Sequence, residues 1–203
     1  YMLARVPGEV LARLRLPLGD ATKAAVRAEA AAAGMAAATA RESQDVCFLG
    51  GGALDDFLAR EGVPLVAGSI RDEAGRELGR HAGAVAYTPG QRRGLGVSSA
   101  APLYVLRADP ARNELIVGPH ARLACSVVEL REARVDEGAS HVHAKLRARS
   151  PTVAARVEHG PDGTRLLLAE PVYGVAAGQT AVLYDDGGCV VGAGVIAPVA
   201  GRF

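Results

Sequence analysis

Cys47 sits in the stretch "ESQDVCFLGGG", Glu42 to Gly52, and is the residue whose setting most directly offers chemistry. Val46, Phe48 and Leu49 flank it, a polar run precedes it, and Gly50 to Gly52 follow. A cysteine with apolar neighbours commonly serves as a small buried hydrophobe. The same setting suits a reactive thiolate. Three glycines leave backbone N–H groups unshielded, and a helix starting near Ala53 would aim its positive end back at the sulfur. Asp45 and Glu42 would oppose this if close. On the residues alone both readings stand.

Two basic stretches offer a different chemistry. In "TPGQRRGLG", Thr88 to Gly96, Gln91, Arg92 and Arg93 follow a Pro-Gly turn among glycines that let a backbone approach a phosphate closely. A solvated surface turn is the plainer alternative, and the stretch matches neither the P-loop nor the dinucleotide fingerprint. The alternation in "HVHAKLRAR" predicts a strand over His141 to Arg149. Val142, Ala144, Leu146 and Ala148 would face inward, and His141, His143, Lys145, Arg147 and Arg149 outward. Such a row suits a phosphate backbone, where Lys and Arg contacts release counterions; a solvated face is its plain alternative. The His-x-His pair lacks a third metal ligand. No aromatics interleave with the cations, so base stacking is not expected there. His81 reads as a structural, hydrogen-bonding histidine, and Cys125 and Cys189 as core residues in apolar strand patterns.

The elements that must position these groups change character along the chain. "GEVLARLRL" carries helical spacing, and "TKAAVRAEAAAAG" supplies Thr22 as N-cap and Gly34 as the stop. "ALDDFLAR" predicts a further short helix. Beyond Gly62, short alternating segments punctuated by Gly and Pro predict strands: "AVAYT", "PLYVLRAD", "NELIVG", "ARLACSVVEL", "SHVHAKLRAR", "TVAARVEHG", "RLLLAEP", "QTAVLYDD" and "CVVGAGVI". That many short strands indicate a small barrel or sandwich.

With 203 residues, 49% hydrophobic and 22% charged, the chain can bury a sizeable core. A net charge of +1 means that any nucleic acid must be held by a local basic patch. Three well-separated cysteines fit a reducing, cytoplasmic compartment and argue against a zinc site or disulfide scaffold. No apolar run approaches the roughly 18 residues of a membrane span, and no signal peptide is visible. The start at Tyr1, without Met, leads us to expect a piece of something longer.

The motifs resemble, in order, the C-terminal part of the tRNA-specific 2-thiouridylases. The matching stretches are "LPLGDATKAAVRAEAAAAGM", "ARESQDVCFLG", "GSIRDEAGRELGRHAGAVAYTPGQRRGLG", "PLYVLRADPARNELIVG", "KLRAR" and "AGQTAVLYDDGGCVVGAGVI". The resemblance covers essentially the whole chain, and "SQDVCF" with "GRHAGAVAYTPGQRRGLG" is its most specific part. It implies that Cys47 carries a transferable sulfur as a persulfide. In the family, ATP adenylates the C2 oxygen of wobble uridine 34, persulfide sulfur attacks C2, and a second cysteine assists. The family's N-terminal ATP-pyrophosphatase features, an S-G-G-x-D-S loop, the second cysteine and a K-D-Q motif, do not occur in this sequence. The family's R-Y pair reads Arg147-Ala148, its P-G-Q reads Ala177-Gly178-Gln179, and its G-G-G reads Gly192-Ala193-Gly194. Arg147 and Gln179 still match the family's contact positions, while the Tyr of the pair is not matched.

The fold expected from the resemblance is α+β. Residues 1–55 would form a helical remnant of the ATP-pyrophosphatase domain with the cysteine loop. Residues 56–122 would form a small β-rich central domain, and 123–203 a β-barrel resembling the second domain of elongation factors. The implied function is tRNA wobble-uridine 2-thiolation, with Cys47 catalytic and tRNA held by Lys145, Arg147, Arg149, Gln179, Gln91, Arg92 and Arg93. ATP, with Mg2+, would bind the other half of the protein, and this chain would bind no cofactor or metal and be inactive alone. The expected partners are tRNA and a sulfur-donor protein, with no membrane, and the chain would be a monomer. The alternative is a non-catalytic RNA-binding barrel with a structural cysteine.

Overall fold

A computed structural model describes residues 1–40, 54–161 and 163–198. Cys47 therefore lies outside the described residues. By its contacts the chain divides into two units, one of residues 6–57 and one of residues 1–5 with 58–203. The smaller holds α1 (Gly8–Leu11), α2 (Lys23–Ala32) and a 3-10 turn at Ala36–Thr39. The Thr22 hydroxyl accepts the Ala25 amide at 3.2 Å, and Gly34 closes the end at φ +68°, both as its residue types demand. Helix α1 stops at Leu11, well short of the "GEVLARLRL" pattern. Helix α3 (Leu54–Arg60) follows. No described residue before Gly68 is buried, so the larger unit carries the packed core.

In that larger unit the first sheet holds β1 (Gly68–Arg71), β2 (Glu77–His81), β3 (Tyr104–Asp109) and β4 (Glu114–Gly118), ordered β2-β1-β4-β3. β1 and β4 run parallel, and the outer pairs are antiparallel. Ile70, Val105, Leu115 and Val117 are its fully buried centre. The segment "AVAYT", expected as a strand, instead forms a 3-10 turn at Ala84–Ala86. Only Ala84 of this turn is buried and Val85 is exposed, so the apolar residues do not alternate as a sheet face requires.

His81 is the buried polar residue of this sheet, 3% exposed. Its Nε2 lies 3.2 Å from the Asn113 carbonyl, while Nδ1 has no partner. The structural reading of this histidine holds. The imidazole is thus neutral with its proton on Nε2, since a second N–H would be buried without an acceptor. Burial pushes its pKa below the ordinary 6.5, with the neighbouring Arg80 charge adding to the effect against the Asn113 hydrogen bond. A depressed histidine pKa means that the unfolded chain takes up the proton first. Stability is full above about pH 6.5 and falls as the pH drops through the folded value. Thermal melts should show a lower midpoint at pH 5.5 than at 7.5, and His81→Gln should reduce that difference.

The second sheet is a closed barrel of β5 (Ala124–Val135), β6 (His141–Lys145), β7 (Val153–Gly160), β8 (Gly163–Tyr173), β9 (Thr180–Tyr184) and β10 (Val190–Ile196). The order β10-β5-β8-β7-β6-β9 closes without an edge, and every pairing is antiparallel. Leu166, Leu183, Ala144, Ala181 and Ile196 fill its interior. Gly192 and Gly194 are close-approach positions: an added Cβ would lie 2.9 Å from the Arg134 carbonyl oxygen and 3.1 Å from the Leu130 Cβ, respectively. Ala193 between them is buried and pairs with Val182, on the face opposite the interior Ala181 and Leu183. Cys125 is buried as expected, but Cys189 is not. It is exposed in the turn joining β9 to β10, where its amide bonds the Asp185 carboxylate at 2.8 Å.

Candidate nucleic-acid interface

The expected nine-residue basic strand is shorter than its alternation predicts. β6 ends at Lys145, and Arg147 to Ser150 form a turn in which the Ser150 amide and hydroxyl both bond the Arg147 carbonyl. Ala148, expected inside, is exposed. The row of five cations is therefore broken. His143 meets Asp186 at 3.0 Å, and His141 meets the Ser140 hydroxyl. Among the described residues no group of three His, Cys, Asp or Glu could hold a metal ion.

The antiparallel registers sort what remains. Lys145 pairs with Val182, and Ala124 with Tyr173, so the C-terminal ends of β6 and β8 and the N-terminal ends of β5 and β9 share one barrel end. Arg147, Arg149, Gln179 and Gly174 all lie at that end. His141 and the Asp185–Cys189 turn lie at the other.

Arg147 joins this end to the loop at 88–94. Its Nη2 donates to the Pro89 carbonyl at 3.4 Å, and its guanidinium runs beside Gly90 and Gly174. An added Cβ on Gly174 would lie 3.5 Å from Arg147 Nη2, and on Gly90 3.4 Å from the Gly174 Cα. Both glycines also have positive φ, +69° and +88°, so residue type and close approach agree here. A guanidinium carries five donors. Arg147 has no carboxylate partner among the described residues and is half-buried.

The loop is built from within. Gln91 accepts the Thr88 amide at 3.2 Å and donates to the Arg93 carbonyl at 2.9 Å, while the Tyr87 hydroxyl bonds the Gly94 carbonyl. The Gln91 side chain thus holds the turn instead of projecting from it. Arg92 and Arg93 are exposed with no ion pair among the described residues, and Arg92 borders an open cleft of about 640 Å³ lined by Gly94 to Leu103. Lys145 is half-exposed, and Arg149 and Gln179 are exposed, likewise without described side-chain partners. By contrast Arg122, Arg76 and Arg156 are committed to Glu73, Asp72 and Glu158. Geometry thus unites Arg147 with the Gln91–Arg93 loop, and register adds Arg149, Lys145 and Gln179 at the same end.

Sequence reasoning overlooked one feature beside this cluster. His120, in a 3-10 turn at His120–Leu123, stacks on Tyr173 with ring centroids 4.4 Å apart, and Tyr104 meets it edge-on at 5.0 Å. Residues so distant in the chain leave no local pattern that could reveal the contact.

Comparison with known proteins agrees along the whole length. Residues 1–51 match a tRNA methyl transferase HUP domain, 55–119 a tRNA methyl transferase PRC-barrel domain, and 123–196 an aminomethyltransferase β-barrel domain. The chain is 43% identical to the tRNA-specific 2-thiouridylase MnmA of Roseiflexus castenholzii, over 97% of this chain and 55% of that protein. It is 44% identical to the protein of the same name from Chloroflexus aggregans, over 97% and 56%. A bifunctional protein NifU/MnmA of Rubrobacter xylanophilus is 42% identical over 97% of this chain and 41% of its own length. The chain spans about half the length of the curated relatives it matches, such as the 55% covered in the first of these. The resemblance read from "SQDVCF" and "TPGQRRGLG" is thereby borne out, and the chain belongs to the tRNA-specific 2-thiouridylases, a family of tRNA-modifying enzymes.

Proposed function

We propose that the chain is the sulfur-carrying and tRNA-holding part of an enzyme that replaces the C2 oxygen of wobble uridine 34 with sulfur. Cys47 is the sulfur carrier. A sulfur-donor protein passes a sulfane sulfur to its thiolate, giving a persulfide. Its outer sulfur is delivered to C2 as the family's second cysteine, in the other half, closes a disulfide with Cys47 and so supplies the two electrons. The C2 oxygen leaves with its activating group. The tRNA lies against the barrel end that bears Arg147, Arg149, Lys145 and Gln179, with Arg92 and Arg93 presented from the adjoining loop. Gln91 acts there by shaping the loop. The working division is 1–55 for the cysteine-bearing piece, 56–122 for the loop-bearing piece and 123–203 for the tRNA-binding barrel, in a cytoplasmic monomer.

In this reading ATP and its Mg2+ belong to the other half of the protein. The sequence contains no S-G-G-x-D-S loop, and the glycines of the 88–96 loop lie in a β-rich region, not ahead of a helix N-terminus that could face a nucleotide phosphate. No step through ATP is assigned to this chain.

The observation that supports the reading most is the junction of Arg147 with Pro89 and Gly90. It holds in a fixed direction a guanidinium that has no carboxylate partner among the described residues, beside two exposed arginines, the arrangement a phosphate backbone selects. Arg147→Ala should weaken tRNA binding about ten-fold near 0.1 M salt and reduce the slope of log affinity against log salt by about one contact. Binding titrations at several salt concentrations check this. Unchanged affinity and slope would remove the barrel end from the interface.

A further inference from the structure

Tyr173 ends β8 at the same barrel end and keeps 46% of its surface in solvent. His120 stacks on it at 4.4 Å with ring planes 20° apart, and Tyr104 braces the imidazole from its edge at 5.0 Å. The turn that carries His120 is fixed a second time: Arg122 grips the Glu73 carboxylate through Nη2 at 2.6 Å and Nε at 2.9 Å. Neither the Tyr173 hydroxyl nor the His120 ring makes a hydrogen bond among the described residues. Gly174, the next residue along, is the one against which the Arg147 guanidinium lies. An oriented aromatic ring thus precedes in sequence the glycine that packs against a cation with no carboxylate partner among the described residues.

A base offers a π-face and its backbone an adjoining phosphate, so this pairing fits a single unpaired nucleotide. A duplex, with its bases stacked inside, could use only the cation. We propose that Tyr173, backed by His120, is a stacking platform for one unpaired base of the bound RNA, with Arg147 taking the neighbouring phosphate. The inference rests on the reading that this barrel end holds tRNA and adds what part of the RNA it selects. The fold supplies from β8 and the 120–123 turn the aromatic group that the basic strand itself lacks.

The chain contains no Trp, so Tyr173→Trp in the full chain places a lone indole reporter at the site. A single-stranded RNA oligonucleotide should quench its fluorescence, and a blunt RNA duplex of equal length should not. Tyr173→Leu should bind the single strand about ten-fold more weakly and the duplex equally well, while Tyr173→Phe binds both like the wild type. Equal single-strand binding by Tyr173→Leu, or equal quenching by both RNAs, would overturn the platform and leave the rings as packing. Arg147→Ala separates the two failures. If it weakens binding of both RNAs while Tyr173→Leu is silent, only the platform falls. If the wild-type chain binds neither RNA, nor tRNA, the underlying reading falls with it. Should Tyr173→Leu not fold, the Tyr173→Trp quenching contrast decides alone.

Discussion

Joined to the nucleotide-binding half that the family resemblance implies, Cys47→Ser is expected to abolish 2-thiouridine formation while leaving tRNA affinity unchanged. Serine keeps the size and removes the sulfur, so every step that stores or delivers sulfur at this position is lost, whereas the cationic barrel end is untouched. The loss should be complete, because a hydroxyl cannot substitute for a persulfide at any rate that matters. Cys125 and Cys189 provide the contrast. The first is buried with its thiol directed to the Val127 carbonyl at 2.9 Å, and the second sits in an exposed turn far from the basic end. Cys189→Ser should keep full activity. Thiolated nucleoside, quantified after tRNA digestion, distinguishes these outcomes.

The largest expected effect on the fold is at Gly68. A Cβ there would stand 2.0 Å from the Asn113 carbonyl oxygen and 2.7 Å from His81 Nε2. Neither neighbour can give way. Asn113 is held at φ +53°, its side-chain Nδ2 donates to the Val66 carbonyl at 2.9 Å, and its side-chain Oδ1 accepts the Ala84 amide at 3.3 Å. Gly68→Ala must therefore separate β1 from the β3–β4 turn and strand the buried imidazole. Overpacking usually costs 1–3 kcal/mol; with backbone as the obstacle a cost of about 3 kcal/mol or more is expected, a fall of roughly 5–10 °C in the melting midpoint. Gly160→Ala, whose nearest obstacle is 4.0 Å away, serves as the neutral comparison. A small effect at Gly68 would mean that the Asn113 turn is looser than its hydrogen bonds imply.

Legibility in the sequence followed burial. β5, β7 and β8 bury alternate residues over much of their length and β9 buries Ala181, Val182 and Leu183 in succession, so their apolar content is plain, and Thr22 and Gly34 mark α2 through local chemistry alone. β1 and β2 were missed because "GSIRDEAGRELGRH" carries few apolar residues; it buries Gly68, Ile70 and His81, and neither a glycine nor a buried histidine registers as hydrophobic pattern. Alternation misled at "AVAYT" and past Lys145, where small residues tolerate a turn as readily as a strand. At the candidate interface, residue types identified the cations, but not their division between two barrel ends or the role of Gln91 as an internal brace. Arg147 meeting Pro89, and His120 meeting Tyr173, depend on closure of the barrel and lie beyond any local window.

Cys47 itself can be read directly. Incubated with a cysteine desulfurase and cysteine, then trapped with an alkylating agent and digested, the peptide containing Cys47 should gain the mass of one sulfur atom. Addition of substrate tRNA to the complete enzyme with ATP should discharge it. Sulfur found on Cys125 or Cys189 instead, or a Cys47 thiol that stays unmodified until the protein is denatured, would contradict the assignment of this residue as the carrier.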